Sequence, residues 1–183
     1  MLLYNFNLKK FKKLDAIRDL FCFGCFTGMR LSDILALSHE NVHEGKILFR
    51  VEKTEQSNFI PLNSYTKAII KKYAKKFPNK SLPSYSEGFI NEQLKELFKK
   101  VEINRKVQLT HFQGAKKIKK VEPLSEIVTF HMSKKTFMTN FLAKGGSLIT
   151  AMSITGNKDF KTAKRYFKVV DSLKAEEMAK VFG

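Results

Sequence analysis

"TGMRLSDILAL", residues 27–37, begins by breaking one helix and goes on to start another. Upstream, residues 13–26 carry Leu14, Ile17, Leu20, Phe21, Phe23 and Phe26 on one wide apolar face, the pattern of a buried helix. Thr27–Gly28 interrupts that pattern. Leu31, Ile34, Leu35 and Leu37 then recur at helical spacing, with Arg30 at the start of the new helix and Asp33 close enough to pair with it as an ordinary surface ion pair.

Working outward, "KILFRVEK" (46–53) and "NFIPLN" (58–63) alternate in polarity and predict a hairpin across "TEQS". A helix is expected over about 64–76, with Ile69, Ile70 and Tyr73 inward, and another over 87–100. "RKVQLTHFQGAKKIKKVE" fits either a basic hairpin around Gly114 or an irregular loop. Helices follow over 131–144, after Ser147 as N-cap, and over 159–168, and the tail "SLKAEEMAKVF" forms an amphipathic helix with Leu173, Met178 and Val181 on one face. The fold class is mainly α with a small antiparallel β-sheet, in a single domain spanning residues 1–183.

The chain carries 34 Lys and Arg against 17 Asp and Glu, a formal charge of +17. Basic residues are spread along the whole sequence, as in "KKYAKKF" and "GAKKIKK", so a broad basic face is expected rather than a basic tail. Such a surface favours a polyanionic partner, nucleic acid first, with an anionic membrane surface as the other candidate. No apolar run approaches a membrane span, and the N-terminus lacks the pattern of a secretory signal, which places the protein in the cytosol without a membrane partner.

Two motifs point elsewhere and fail on context. Cys22 and Cys25 form C-x-x-C within an apolar helical run, and they are the only two cysteines, so buried packing accounts for them better than redox or zinc chemistry. "HENVH" (39–43) matches H-E-x-x-H, but it falls in a loop between a helix and a strand, where the imidazoles do not share a helix face. No metal site is expected. "FKTAKRYFKV" (160–169) sets Tyr166 among Lys161, Lys164, Arg165 and Lys168. Tyr166 is then either a wedge of core or a hydroxyl held against a polyanion.

"TGMRLSDILAL", a lysine in a hairpin, "HMSKKTFMTNFLAKG" and "ITGNKDFKTAKRYFKV" occur in an order that resembles the catalytic domain of the tyrosine recombinases, the phage-type integrases, and most nearly those of mobile elements in Bacteroides-type bacteria. The resemblance implies DNA strand cleavage and rejoining through a 3′-phosphotyrosine, with Tyr166 as nucleophile and no cofactor. Arg30 matches the family's first arginine, whose guanidinium can grip two phosphate oxygens at a helix start. Lys53 matches the hairpin lysine that protonates the leaving oxygen, and His131 matches the first residue of H-x-x-R. Lys134 stands where the family has its second arginine, keeping the charge and losing the planar fork. Asn157 stands where histidine or tryptophan is usual. Lys161, Lys164 and Arg165 would bind DNA phosphate beside Tyr166.

The same resemblance implies double-stranded DNA as partner and a homotetramer on DNA in the full-length protein, with this domain a monomer alone. It also implies that the family's N-terminal DNA-binding domain is absent from this chain. Lys134 and Asn157 motivate an alternative, the same fold degraded into a DNA-binding module. A third reading, an unrelated RNA-binding protein, would call for exposed aromatic stacking platforms on a sheet, and the sequence has no such motif.

Overall fold

The computed structural model describes residues 2–50, 57–114, 116–157, 159–163, 166, 178, 179 and 182. α1 (Leu2–Asn5) and α2 (Lys12–Thr27) come first, then α3 (Leu31–Ala36) and a 3-10 turn at His39–Asn41. A three-stranded antiparallel sheet follows in the order β1 (Val42–His43), β2 (Lys46–Arg50), β3 (Ser57–Pro61). α4 (Ser64–Tyr73) and α5 (Glu87–Lys100) lead to a two-stranded ribbon of β4 (Lys106–Gln113) and β5 (Lys116–Pro123). α6 (Leu124–Ile127), α7 (His131–Ala143), α8 (Leu148–Thr155) and α9 (Phe160–Ala163) complete the order. The protein is thus mainly helical with small antiparallel sheets, as the sequence predicts.

α2 is the axis. Its apolar positions cover so much of its circumference that it is surrounded, packing on α4, α5 and α7. Ile17, Leu20 and Phe23 are fully buried and meet Ile90, Leu94 and Leu97 of α5 in the main core. The sheet joins this core by one face. β2 and β3 pair Ile47 with Ile60, both buried, while the next pair, Leu48 and Phe59, faces outward. Period-two alternation makes that split unavoidable. A second, smaller cluster gathers Phe137, Met138, Ala151, Met152 and Ala163 from α7, α8 and α9.

Helix starts follow local chemistry. Asn63, Ser86 and Ser147 each accept a backbone N–H from the first turn of α4, α5 and α8. α5 has the bounds its pattern predicts, whereas α4 stops at Tyr73 and its last predicted turn is not helical. The segment that fitted either a hairpin or a loop is a ribbon paired over its whole length. Residues 51–56, which hold the "TEQS" connection up to Ser57, and most of the C-terminal tail lie outside the described residues. Among the described residues no helix is long and apolar enough to cross a membrane.

Both sequence lures are explained. Cys22 and Cys25 sit within α2, where burial pushes the Cys22 thiol up to about 12 and the Cys25 thiol well above its ordinary range. His39 lies in the 3-10 turn, within 2.9 Å of the Phe77 carbonyl, and His43 lies in β1, so they share no helix face.

One ion network is interior. Arg18 is 9% exposed and Asp19 2%. Arg18 donates to both carboxylates, Asp15 and Asp19, and to the Phe6 carbonyl at 2.7 Å. Lys72 and the Tyr73 hydroxyl of α4 also donate to Asp19. Burial opposes the Arg18 charge, yet the charges of Asp19 and Asp15 outweigh it and hold its pKa above the ordinary value. Burial and the Asp19 charge push the Tyr73 phenol far up. Breaking a buried pair strands its partner, so Arg18→Met is expected to lower stability by about 3 kcal/mol. Urea unfolding will show this as a lower midpoint with an unchanged slope.

Candidate active site

The site is built where α2 ends. Gly28 adopts φ 69° and donates its N–H to the Gly24 carbonyl at 2.9 Å. A Cβ on Gly28 would lie 2.7 Å from both Phe137 and Thr155. Only glycine permits this conformation and this approach together. Thr27 supports the turn: its hydroxyl donates to the Phe23 carbonyl and accepts the Met29 N–H. Met29 is buried, and Arg30 is left at the surface as the N-cap of α3. α3 has only six residues, so the partial positive charge of its end is smaller than a long helix would give.

Arg30 borders a cavity of about 250 Å³ together with Glu87, Phe130, His131, Ser133 and Lys134. Three of the six expected catalytic positions therefore converge: Arg30 from the start of α3, and His131 and Lys134 from the first turn of α7. The "TGN" turn joins them, because a Cβ on Gly156 would lie 3.7 Å from Arg30 Nη1. Asn157 follows directly, donating its N–H to the Met152 carbonyl and accepting the Asp159 N–H on Oδ1. Among the described residues Arg30 makes no ion pair, so the surface pairing with Asp33 does not form and its guanidinium is available.

Lys134 is held by the Thr155 carbonyl, which accepts from Nζ at 2.8 Å. Burial and the neighbouring Arg30 charge lower its pKa, with Asp33 offsetting part of this. The fold thus keeps two cations on one cavity and meets the cost of bringing them together.

Tyr166 follows α9 in the chain and is half-buried, packed against the second cluster. Its ring is anchored as a core residue would be. Lys161 is exposed on α9, whose first turn is capped by Asp159 through the Lys161 and Thr162 N–H groups. Lys53, Lys164 and Arg165 lie outside the described residues.

Sequence reasoning missed Glu87 and Ser133. Glu87 opens α5, far from any motif, and only the tertiary fold brings it to the cavity. Ser133 lies between His131 and Lys134, and a Cβ on Gly24 would come within 2.6 Å of its Oγ. Among the described residues that buried hydroxyl has no hydrogen-bond partner.

The fold has close counterparts. The XerA recombinase superposes with a TM-score of 0.64 at 19% identity, covering 100% of this chain and 62% of that one. A Tn1549 transposon integrase in complex with transposon right end DNA gives a TM-score of 0.65 at 15% identity, covering 97% of this chain and 63% of that one. In sequence, the tyrosine recombinase XerC of Rickettsia prowazekii (strain Madrid E) is 26% identical over 139 residues, 76% of this chain. The chain spans 42% of that relative's length. The fold is that of tyrosine recombinase catalytic domains. The sequence model of the Phage integrase family matches residues 6–172, and the chain belongs to that family.

The Lys134 environment is measurable. Its amine is expected to lose its proton below the ordinary value of 10.5, ahead of the exposed lysines, as pH rises. Arg30→Ala removes the repelling charge and should move that titration upward, as should saturating inorganic phosphate. A heteronuclear NMR titration, assigned with Lys134→Arg, reads all three; titration of Lys134 with the bulk lysines would refute the arrangement.

Proposed function

We propose that this chain is the catalytic domain of a recombinase that cuts and rejoins double-stranded DNA, for integration or excision of a mobile element. The observation that carries this reading is the convergence of Arg30, His131 and Lys134 on one cavity with Gly156 against the guanidinium. Phosphoryl transfer needs little covalent help and much positioning and charge, and a cationic hole supplies both. The formal charge of +17 supports DNA as the substrate.

Tyr166 supplies the nucleophile. Its phenol gives up a proton, the oxygen bonds to phosphorus, and the bond from phosphorus to the 5′ oxygen breaks. Lys53 returns a proton to that oxygen, leaving a 5′-hydroxyl and a 3′-phosphotyrosine. Arg30, Lys134 and His131 hold the non-bridging oxygens while charge rearranges, and Asn157 adds an amide donor. Lys161, Lys164 and Arg165 hold flanking phosphates. A 5′-hydroxyl from a partner duplex then attacks, re-forms the phosphodiester and frees Tyr166. The covalent link conserves the bond, so no cofactor is consumed. Exchange between two duplexes takes four subunits, a homotetramer of the full-length protein.

The degraded-module reading has one observation in its favour. Lys134 and Asn157, which occupy the two departures from the family pattern, are both engaged within the fold, by Thr155 and Asp159. A nicked suicide duplex decides between the readings. Cleavage by the wild type should trap a covalent adduct on a denaturing gel. Tyr166→Phe should abolish the adduct while leaving DNA affinity unchanged, because the ring keeps its packing. Binding with no adduct from the wild type selects the degraded module; an adduct that survives in the Phe variant assigns the nucleophile to another residue.

Lys134→Arg restores a two-donor fork. One oxyanion-hole donor is worth on the order of 10²–10³ in rate, and lysine already supplies the charge, so a gain of about tenfold is expected. It should appear in single-turnover cleavage and not in affinity. Equal single-turnover rates for the two proteins would show that the fork is not what limits this site.

A further inference from the structure

β4 and β5 pair through eight consecutive positions, from Lys106 opposite Pro123 to Gln113 opposite Lys116. Eight residues at roughly 3.4 Å each give a ribbon about 27 Å long. Alternation sorts its side chains. Lys106, Gln108 and Thr110 of β4 share one face with Lys117 and Lys119 of β5, and all five are exposed. Val107, Leu109 and Ile118 occupy the opposite face and are half-buried. The ribbon's single acidic residue, Glu122, also lies on that opposite face, where Lys120 neutralises it.

The exposed face therefore carries three lysines with no carboxylate of the ribbon to balance them. An isolated two-stranded ribbon is marginally stable in water, and like charges on neighbouring positions weaken it further. The arrangement becomes favourable when a polyanion lies along that face. The root of the ribbon is fixed: the Leu124 N–H donates to the Arg105 carbonyl at 2.9 Å, Ser125 donates to Asn104, and Lys99 pairs with Glu126. The α6 helix grows from that root and leads within four residues to His131, so ribbon and cavity share one anchor.

We propose that this ribbon enters the DNA major groove beside the cleaved phosphate and contributes sequence preference there. The proposal rests on the reading of DNA as substrate. A major groove about 12 Å wide admits a two-stranded ribbon. Gln108 matches the paired donor and acceptor of adenine, Thr110 meets either edge, and the lysines reach guanine or phosphate. Val121, on the same face and 57% exposed, suits a thymine methyl.

The test uses the full chain and two double variants, Lys117→Gln/Lys119→Gln and Gln108→Ala/Thr110→Ala, each checked for wild-type circular dichroism. Binding of a labelled duplex is followed over a salt series, and guanine N7 methylation interference is mapped. The lysine pair should reduce the log–log salt slope by about 1.8, two phosphates at 0.9 each. Methylation should interfere with wild-type binding at discrete guanines, and the interference should weaken in both double variants, because the lysines and Thr110 are the groups that reach guanine. An unchanged slope overturns the proposal whatever the methylation pattern. A reduced slope without interference overturns it as well, because it puts the ribbon on the outer backbone. In both cases wild-type DNA binding, and the proposed function with it, stands; absence of any wild-type binding would remove both.

Discussion

The approach of α2 to α7 is the constraint on which the site depends. At Gly24 and again at Gly28 the helix presents no side chain, and the space a Cβ would need is already filled by Ser133, Phe137 and Thr155. Because the helices meet so closely there, the residue two positions past Gly28 emerges beside the first turn of α7. Arg30 and Lys134 are thereby forced into one cavity although 104 positions separate them in the sequence. Burial, and after it the Arg30 charge, lower the Lys134 pKa, and the Thr155 carbonyl holds the amine in place. Geometry set by backbone contact thus maintains an electrostatic arrangement that free side chains would avoid.

Charge is distributed in two very different ways. Lysines cover the outside, where each is solvated and the sum creates a field. Inside, Arg18 and Asp19 form a closed set with Asp15, Lys72 and Tyr73 in which each charge has a counter-charge or a hydrogen bond. That set ties α2 to α4 and, through the Phe6 carbonyl, to the segment following α1. A net charge as high as +17 repels itself, and the fold offsets the strain with a large apolar core around α2 rather than with surface pairing. Among the described residues, the surface ion pairs Lys99–Glu126 and Lys120–Glu122 are exposed and contribute little.

The long elements were legible in the sequence because a single physical signal governed each. α2 shows a broad apolar face, and α5 combines a serine cap with a clear helical period, so its bounds follow from local chemistry. The ribbon was ambiguous because its strands interleave lysine with few large apolar residues, which weakens alternation. α1, α6 and β1 span two to four residues, too few for any period to register. At the site, the identity of Arg30, His131 and Lys134 came from family likeness, not from spacing. Their convergence with Glu87 and Ser133 is a property of packing, which a linear pattern does not encode. Tyr166 had two readings, wedge of core or reactive hydroxyl. Its ring is half-buried in a cluster, which fits the first, while leaving the second to its oxygen.

The two clusters differ in size, and this matters for timing. Tyr166 leans on the smaller one, which Ile154 links to the main core. Small packed units open at a lower free-energy cost than the body they attach to. Arg30 and His131 stand on elements rooted in the main core, so opening of α8 and α9 leaves both in place. The same opening takes Thr155 away from Lys134 and releases the amine. On the proposed reading, holding DNA and committing to cut it are therefore separate events, governed by two cooperative units of unequal stability. On that reading, a change in the small cluster would alter how often cutting begins without altering how tightly DNA is held.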